Sequence, residues 1–164
     1  VLDMSRTDGG LGLGVTLEPV DLTALVEDLI DEARMAYPAI PFQLTCDEQA
    51  MVNADSGRLA QVLSNLLSNA RHHGEAGKPV RVCVTVQGKE AVVEVSNAGA
   101  PIPPEQVATL FNPFKRASLH NPRNRTGMGL GLYIAQQIVR EHHGEIAYRH
   151  DGSEVIFSVR LPLL

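Results

Sequence analysis

Three short stretches combine residue types and spacings that could do chemistry. In "RLAQVLSNLLSNARHH", Arg58, Gln61, Asn65, Asn69 and His72 project within roughly 80° of one another if the segment is a helix turning about 100° per residue. Two Asn one turn apart are poor helix formers, because their amides compete with the backbone for hydrogen bonds. A solvated face would more naturally carry Lys and Glu. The stripe is therefore either a polar flank or a row of amide oxygens facing a metal or polyphosphate, and hard cations such as Mg2+ accept such oxygens while sharing substrate phosphates. In "RTGMGLGLY", Gly127, Gly129 and Gly131 stand before and within the first turn of a helix. Backbone N–H groups bare of side chains can approach an anion there, with the helix dipole favouring its charge; a glycine hinge is the other reading. The dinucleotide fingerprint does not apply, since it needs a preceding strand and a Gly where Leu132 stands, and no GxxxxGK[ST] occurs. The third stretch, "VEVSNAGAPIPPEQV", ends an alternating apolar run on Ser96 and Asn97 and runs into a stiff turn.

These residues need elements to hold them. From Asp21, a plausible N-cap, Leu22, Leu25, Val26, Leu29, Ile30 and Ala33 recur at helical spacing until Pro38, which predicts a helix over about 21–36. "FQLTC" alternates as a strand. "ADSGRL" opens a second helix with Asp55 or Ser56 as cap, and Leu59, Val62, Leu63, Leu66, Leu67 and Ala70 form its apolar stripe. "VRVCVTVQ" and "AVVEVSN" around "GKE" read as a hairpin of two central strands. Periodicity fails from Gly99 to Met128, a segment with Pro101, Pro103, Pro104, Pro113 and Pro122 and a basic cluster of Lys115, Arg116, Arg123 and Arg125. A loop of that length in a compact domain is usually functional. Met128, Gly131, Leu132, Ile134, Ala135, Ile138, Val139 and His142 then share one face of a third helix, which Gly144 can terminate. "EIAYRH" and "EVIFSVRLP" around "DGS" close the chain as a hairpin. This order predicts a layered sheet with helices on one face.

At 164 residues and 44% hydrophobic content, the chain can bury one sizeable core. No stretch approaches the roughly 18 apolar residues of a membrane span, and no signal-peptide pattern opens the chain. A net charge of −5, no basic run, three Tyr and four Phe argue against a nucleic-acid surface. Cys46 and Cys83 sit in strand-like runs without CxxC spacing and read as buried free thiols in a reducing compartment.

Taken together, "RLAQVLSNLLSNARHH", "SNAGAPIPP", "LFNPFKRA" and "GMGLGLYIAQQIV" resemble, in order and spacing, the N, G1, F and G2 boxes of the sensor histidine kinase catalytic domain, a Bergerat-type ATP-binding fold. The resemblance runs from about Leu17 to Leu164. It implies an α+β two-layer sandwich: a mixed, mostly antiparallel sheet of about five strands with three helices on one face. It also implies that residues 15–164 are the catalytic ATP-binding domain with a lid over about 99–128, and that residues 1–14, from "VLDMSR", end a dimerisation helix and its linker. No His of the sequence stands in a phosphoacceptor context.

By the same resemblance, Asn69 binds the Mg2+ that bridges the phosphates of ATP. Asn65 occupies the place where ATP-hydrolysing relatives carry a water-activating Glu, a base an amide cannot replace. His72 and His73 are candidate phosphate contacts or caps of a helix end. Phe111 and Phe114 anchor the lid, and Arg116 neutralises the transferring phosphoryl group. Lys115, Arg123 and Arg125 either support it or are solvated loop residues. Gly99, Ile102, Thr126, Gly127, Met128, Gly129, Leu130, Gly131 and Leu132 complete the expected nucleotide contacts. The first box departs from the family's DxGxG, with Asn97 in place of the Asp that receives the adenine amino group and Pro101 in place of a Gly. An Asn keeps one acceptor, loses the charge and adds a donor; phytochrome-type and hybrid kinases show a similar form. The resemblance implies a protein-histidine kinase domain whose γ-phosphoryl acceptor is a His on a separate dimerisation domain. The further partners it implies are a response regulator receiver domain and, in a full-length homodimer, a second copy, with no nucleic acid and no direct membrane contact, in the cytoplasm. A nucleotide-sensing or docking pseudokinase and an ATPase of the same fold are the alternatives.

Overall fold

The computed structural model describes residues 14–112 and 128–164. Phe114, Lys115, Arg116, Arg123, Arg125, Thr126 and Gly127 lie outside these residues, as does the stretch before Gly14; for 128–130 only the backbone is described.

Alternating apolar residues with tight turns build most of the sheet. Strands β1 (Glu18–Asp21), β2 (Phe42–Cys46), β3 (Met51–Ala54), β4 (Val80–Gln87), β5 (Glu90–Ala98), β6 (Glu145–Asp151) and β7 (Glu154–Pro162) alternate with helices α1 (Leu22–Ala36), α2 (Ser56–His73), α3 (Pro104–Val107) and α4 (Met128–Glu141). Five strands form a mixed sheet in the order β2-β4-β5-β7-β6, and β1 pairs separately with β3. Only β2 runs parallel to its neighbour within the large sheet. Parallel neighbours need a long crossover, and the chain between β2 and β4 supplies one that contains β3 and α2. The hairpins turn at Gly88 and Gly152, both at positive φ, 62° and 63°.

The strand register puts Val82, Val95 and Phe157 in one row and Val84, Val93 and Val159 in the next. These side chains join Val26 and Ile30 of α1, Leu63 and Leu66 of α2, and Leu132 and Ile138 of α4 in the core. The opposite face carries Arg81–Glu154, Arg149–Glu94 and Arg160–Glu90 ion pairs at 3.1, 2.7 and 3.4 Å. Such half-exposed pairs contribute about 0–1 kcal/mol each, so the core face, not these pairs, fixes the layers. The expected two-layer sandwich is observed, with α3 as one added helical turn inside the stretch read as a loop.

Helix ends follow local chemistry. Asp21 and Asp55 are the N-caps of α1 and α2, accepting from the N–H groups of Ala24 and Arg58 at 3.0 and 3.1 Å. At the end of α4, His143 takes the left-handed conformation (φ 62°), with His143 N–H donating to Arg140 and Gly144 N–H to Val139. The residue that turns the chain is thus His143. Gly144 is required for a different reason: a Cβ there would collide with the Arg160 carbonyl of β7. Cys46 and Cys83 are free and half-buried on opposite faces of the sheet, not fully buried; burial pushes both thiols up in pKa. Among the described residues, no helix is long and apolar enough to cross a membrane.

Candidate functional site

Strand β5 delivers Asn97 to the helix-facing side of the sheet, between Val80 and Val155. Its side chain is 2% exposed. The Nδ2 group donates to the carbonyl of Ala98 at 3.1 Å, and no hydrogen bond among the described residues reaches Oδ1. A carbonyl accepts only, so that contact selects the NH2 end of the amide and leaves the acceptor end presented. Gly74, which ends α2, packs against this residue: an added Cβ would stand 2.8 Å from the Ala70 carbonyl and 3.3 Å from Asn97 Cβ. Glu75 N–H donates to Ala98 O, so the end of the polar helix and the end of the strand are joined at the site.

On α2, Asn69 is 5% exposed, and its side chain makes no hydrogen bond among the described residues. Buried amides are nearly always paired, and leaving one unpaired costs about 1–3 kcal/mol. An oxygen-seeking cation would satisfy such an amide, so Asn69 is compatible with a bound Mg2+. Among the described residues, no cluster of His, Cys, Asp or Glu could hold a metal without such help. Asn65, one turn earlier, is engaged differently, donating from Nδ2 to the Gly131 carbonyl in the first turn of α4 at 3.1 Å. Met128, Gly129 and Leu130 begin that helix, and Leu132 faces the core. The N-box helix and the start of the G2 helix are therefore brought together.

His72 and His73 are exposed at the end of α2. His72 Nδ1 lies 2.8 Å from the Ser68 carbonyl and 3.3 Å from Ser68 Oγ, so this nitrogen serves its own helix. Gly99 and Ile102 follow β5 directly, and two side chains of β6 tie them down. His150 Nε2 lies 2.8 Å from Gly99 O, and Ile102 N–H donates to Tyr148 Oη at 2.9 Å. Phe111 packs edge-on against Phe157 with centroids 6.4 Å apart, and Tyr148 completes the cluster at 5.6 Å from Phe157. Tyr148 and His150 were not among the residues singled out by sequence. Their signal was the period-two pattern of Ile146, Tyr148 and His150, which puts all three on the inner face of the sheet.

His142, which helical spacing puts on the shared apolar face of the third helix, is 2% exposed and uses both ring nitrogens. Nδ1–H donates to Ile138 O at 2.8 Å, and Nε2 accepts from Asp55 N–H at 3.0 Å. Asp55 also accepts the N–H of Thr16 on Oδ2 at 3.0 Å. Burial pushes the Asp55 carboxyl up, but the donated N–H groups of Thr16 and Arg58, with His142 and Arg58 nearby, outweigh it and hold its pKa below the usual value.

Residues 54–164 match the model of a family described as histidine kinase-, DNA gyrase B-, and HSP90-like ATPase. The chain belongs to that family. Within this ATPase-like family it is a catalytic domain of the sensor histidine kinase type. A bacteriophytochrome of Pseudomonas aeruginosa is 44% identical over 163 residues, covering 99% of this chain and 22% of that protein. Sensor histidine kinase TrcS of Mycobacterium tuberculosis is 36% identical over 170 residues, covering all of this chain and 33% of that protein. Among solved structures, the catalytic domain of histidine kinase ThkA superposes with a TM-score of 0.75 at 27% identity, over 90% of this chain and 95% of that one. Mycobacterial sensor histidine kinase MprB gives 0.73 at 27% identity, over 90% and 98%. The chain thus spans between about a fifth and two fifths of the length of the curated relatives it matches.

Proposed function

We propose that this chain binds ATP with Mg2+ and serves as the part of a two-component sensor kinase that passes the γ-phosphoryl group to a histidine of a separate helical domain. The observation that carries this reading is Asn69, a buried amide on the face of α2 with no protein partner among the described residues. In this reading Asn69 holds the cation, and Asn97 Oδ1 accepts from the amino group of adenine at the end of β5. Bound Mg2+ would neutralise phosphate charge and orient the terminal phosphates. Gly129 and Gly131 bring main-chain N–H groups to the phosphates at the start of α4, with Gly127 as a further expected contact. Arg116, with Lys115 and Arg125, neutralises charge on the transferring group, and His72 and His73 stand at the phosphate end. Phe111 and Phe114 hold the lid.

Transfer breaks the bond between the γ-phosphorus and the β–γ bridging oxygen and forms a P–N bond to the acceptor imidazole, with ADP leaving. The protein's contribution is mostly positioning and charge neutralisation. Asn65 offers no base for water, so the phosphoryl group is kept for the histidine. The acceptor helix, the response regulator, the homodimer and the cytoplasmic location belong to the full-length protein that this reading implies.

Incubation with γ-labelled ATP tests it. The chain alone takes up no label and releases phosphate only at the background rate, whereas adding the helical domain of the full-length protein gives label on one His of that domain. Steady phosphate release by the chain alone would favour an ATPase, and no label on the added domain would overturn the kinase reading.

A further inference from the structure

The two N-box amides are not equivalent. Asn69 is buried with no partner among the described residues, whereas the Asn65 donor is taken by a main-chain carbonyl of α4. A Cβ placed on Gly131 would meet Asn65 Cγ and Nδ2 at 3.7 Å, ordinary contact, so the two helices approach closely here without strain. A second brace joins their other ends, where Asp55 N–H donates to His142 Nε2. The braces are separated by ten residues on α2 and eleven on α4, or about 15 and 16.5 Å at 1.5 Å per residue. Two side-chain-to-backbone bonds at matched spacing fix the height of one antiparallel helix against the other.

We infer that Asn65 is a positioning residue rather than a metal ligand: its amide donor holds the first turn of α4, and with it the main-chain N–H groups that open that helix, at a set height beside Asn69. The inference rests on the nucleotide reading above and assigns the N box two separate tasks, one amide for the ligand and one for the frame. What position 65 must supply is a proton for the Gly131 carbonyl. An ionised Asp of the same shape supplies none.

The test titrates ATP into this chain and its N65D variant, each with and without Mg2+, with thermal melts alongside. The expected result is a loss of about ten-fold in affinity in N65D, the size of one hydrogen bond, of equal extent with and without the metal. The ratio to wild type should recover as pH falls through the ordinary carboxylate value near about 4, because a protonated Asp regains an O–H donor for Gly131. Arg58, Arg71, His72 and His73 of α2, and Arg140, Glu141, His142 and His143 at the end of α4, are present in both proteins, and their effects enter both sides of that ratio. A carboxylate acting as metal ligand gives the opposite signs: affinity kept or raised in the Mg2+ arm, or a loss that deepens in acid, would overturn the inference. In the wild-type chain, nuclear Overhauser contacts between the Asn65 Nδ2 protons and the α protons of Gly131 check the brace without any substitution, and their absence would also overturn it. If wild type binds no ATP, the nucleotide reading fails by itself, while the proton contacts still decide the brace.

Discussion

At the scale of single residues, Asn97 has its donor end committed and its acceptor end without a partner among the described residues. Its Nδ2 is held by Ala98 O, so Oδ1 is the end available to a base. Changing Asn97 to Asp would put a carboxylate oxygen against that carbonyl inside a 2% exposed site, which disfavours the ionised form by burial and removes a hydrogen bond. We therefore expect Asn97→Asp to weaken ATP binding by about ten-fold at neutral pH, the equivalent of roughly 1.4 kcal/mol, as measured by calorimetric titration. Tighter binding would mean that the amide is a weakened substitute for a carboxylate. The sequence exposed Asn97 as a departure from the family pattern. It could not show which end of the amide faces the ligand, because that depends on where β5 stops and how the Ala98 carbonyl turns.

At the scale of elements, Asp55 is where three segments meet. Its carboxylate caps α2 through Arg58 N–H and receives the incoming chain through Thr16 N–H, while its own N–H is bound by His142 at the end of α4. Replacing it with Ala should cost about 1–2 kcal/mol, the range of a lost N-cap. The sign of the pH dependence follows from its lowered folded pKa. That contribution is fully present above the ordinary carboxylate value near about pH 4 and is lost as pH falls through the folded value. Thermal melts should therefore show wild type well above Asp55→Ala at pH 7 and the gap closing in acid; an unchanged gap would show that the carboxylate charge is not involved. Three helices, the Asp N-caps of the first two and the two hairpins were legible because amphipathic stripes, Asx caps and Gly turns are local signals. The four-residue strands β1 and β3 were not: "EPVD" and "MVNA" show no sustained alternation, and their pairing joins Glu18 to Ala54 across α1. The single turn of α3 was hidden among prolines that suggested a loop, although Pro103 at the cap and Pro104 at the first helical position suit a helix start.

At the scale of the whole molecule, the architecture gathers the ends of α2 and β5 and the start of α4 on one side of the sheet. The order of the four boxes along the chain was visible in sequence, and the sandwich it implied is the one observed. What sequence could not reveal was the division of labour among like residues. Asn65, Asn69 and Asn97 are chemically identical, and only their neighbours make one a brace, one a buried amide with no partner among the described residues and one a presented acceptor. The central claim is that these neighbours build an ATP·Mg2+ site. It is tested most directly by isothermal titration of ATP into this chain, with and without Mg2+, for wild type and Asn69→Ala. The account predicts that wild type binds, that Mg2+ tightens binding, and that Asn69→Ala loses the Mg2+ increment while keeping a residual metal-free affinity. No heat of binding from wild type at millimolar ATP, or an Mg2+ increment unchanged in Asn69→Ala, would contradict it.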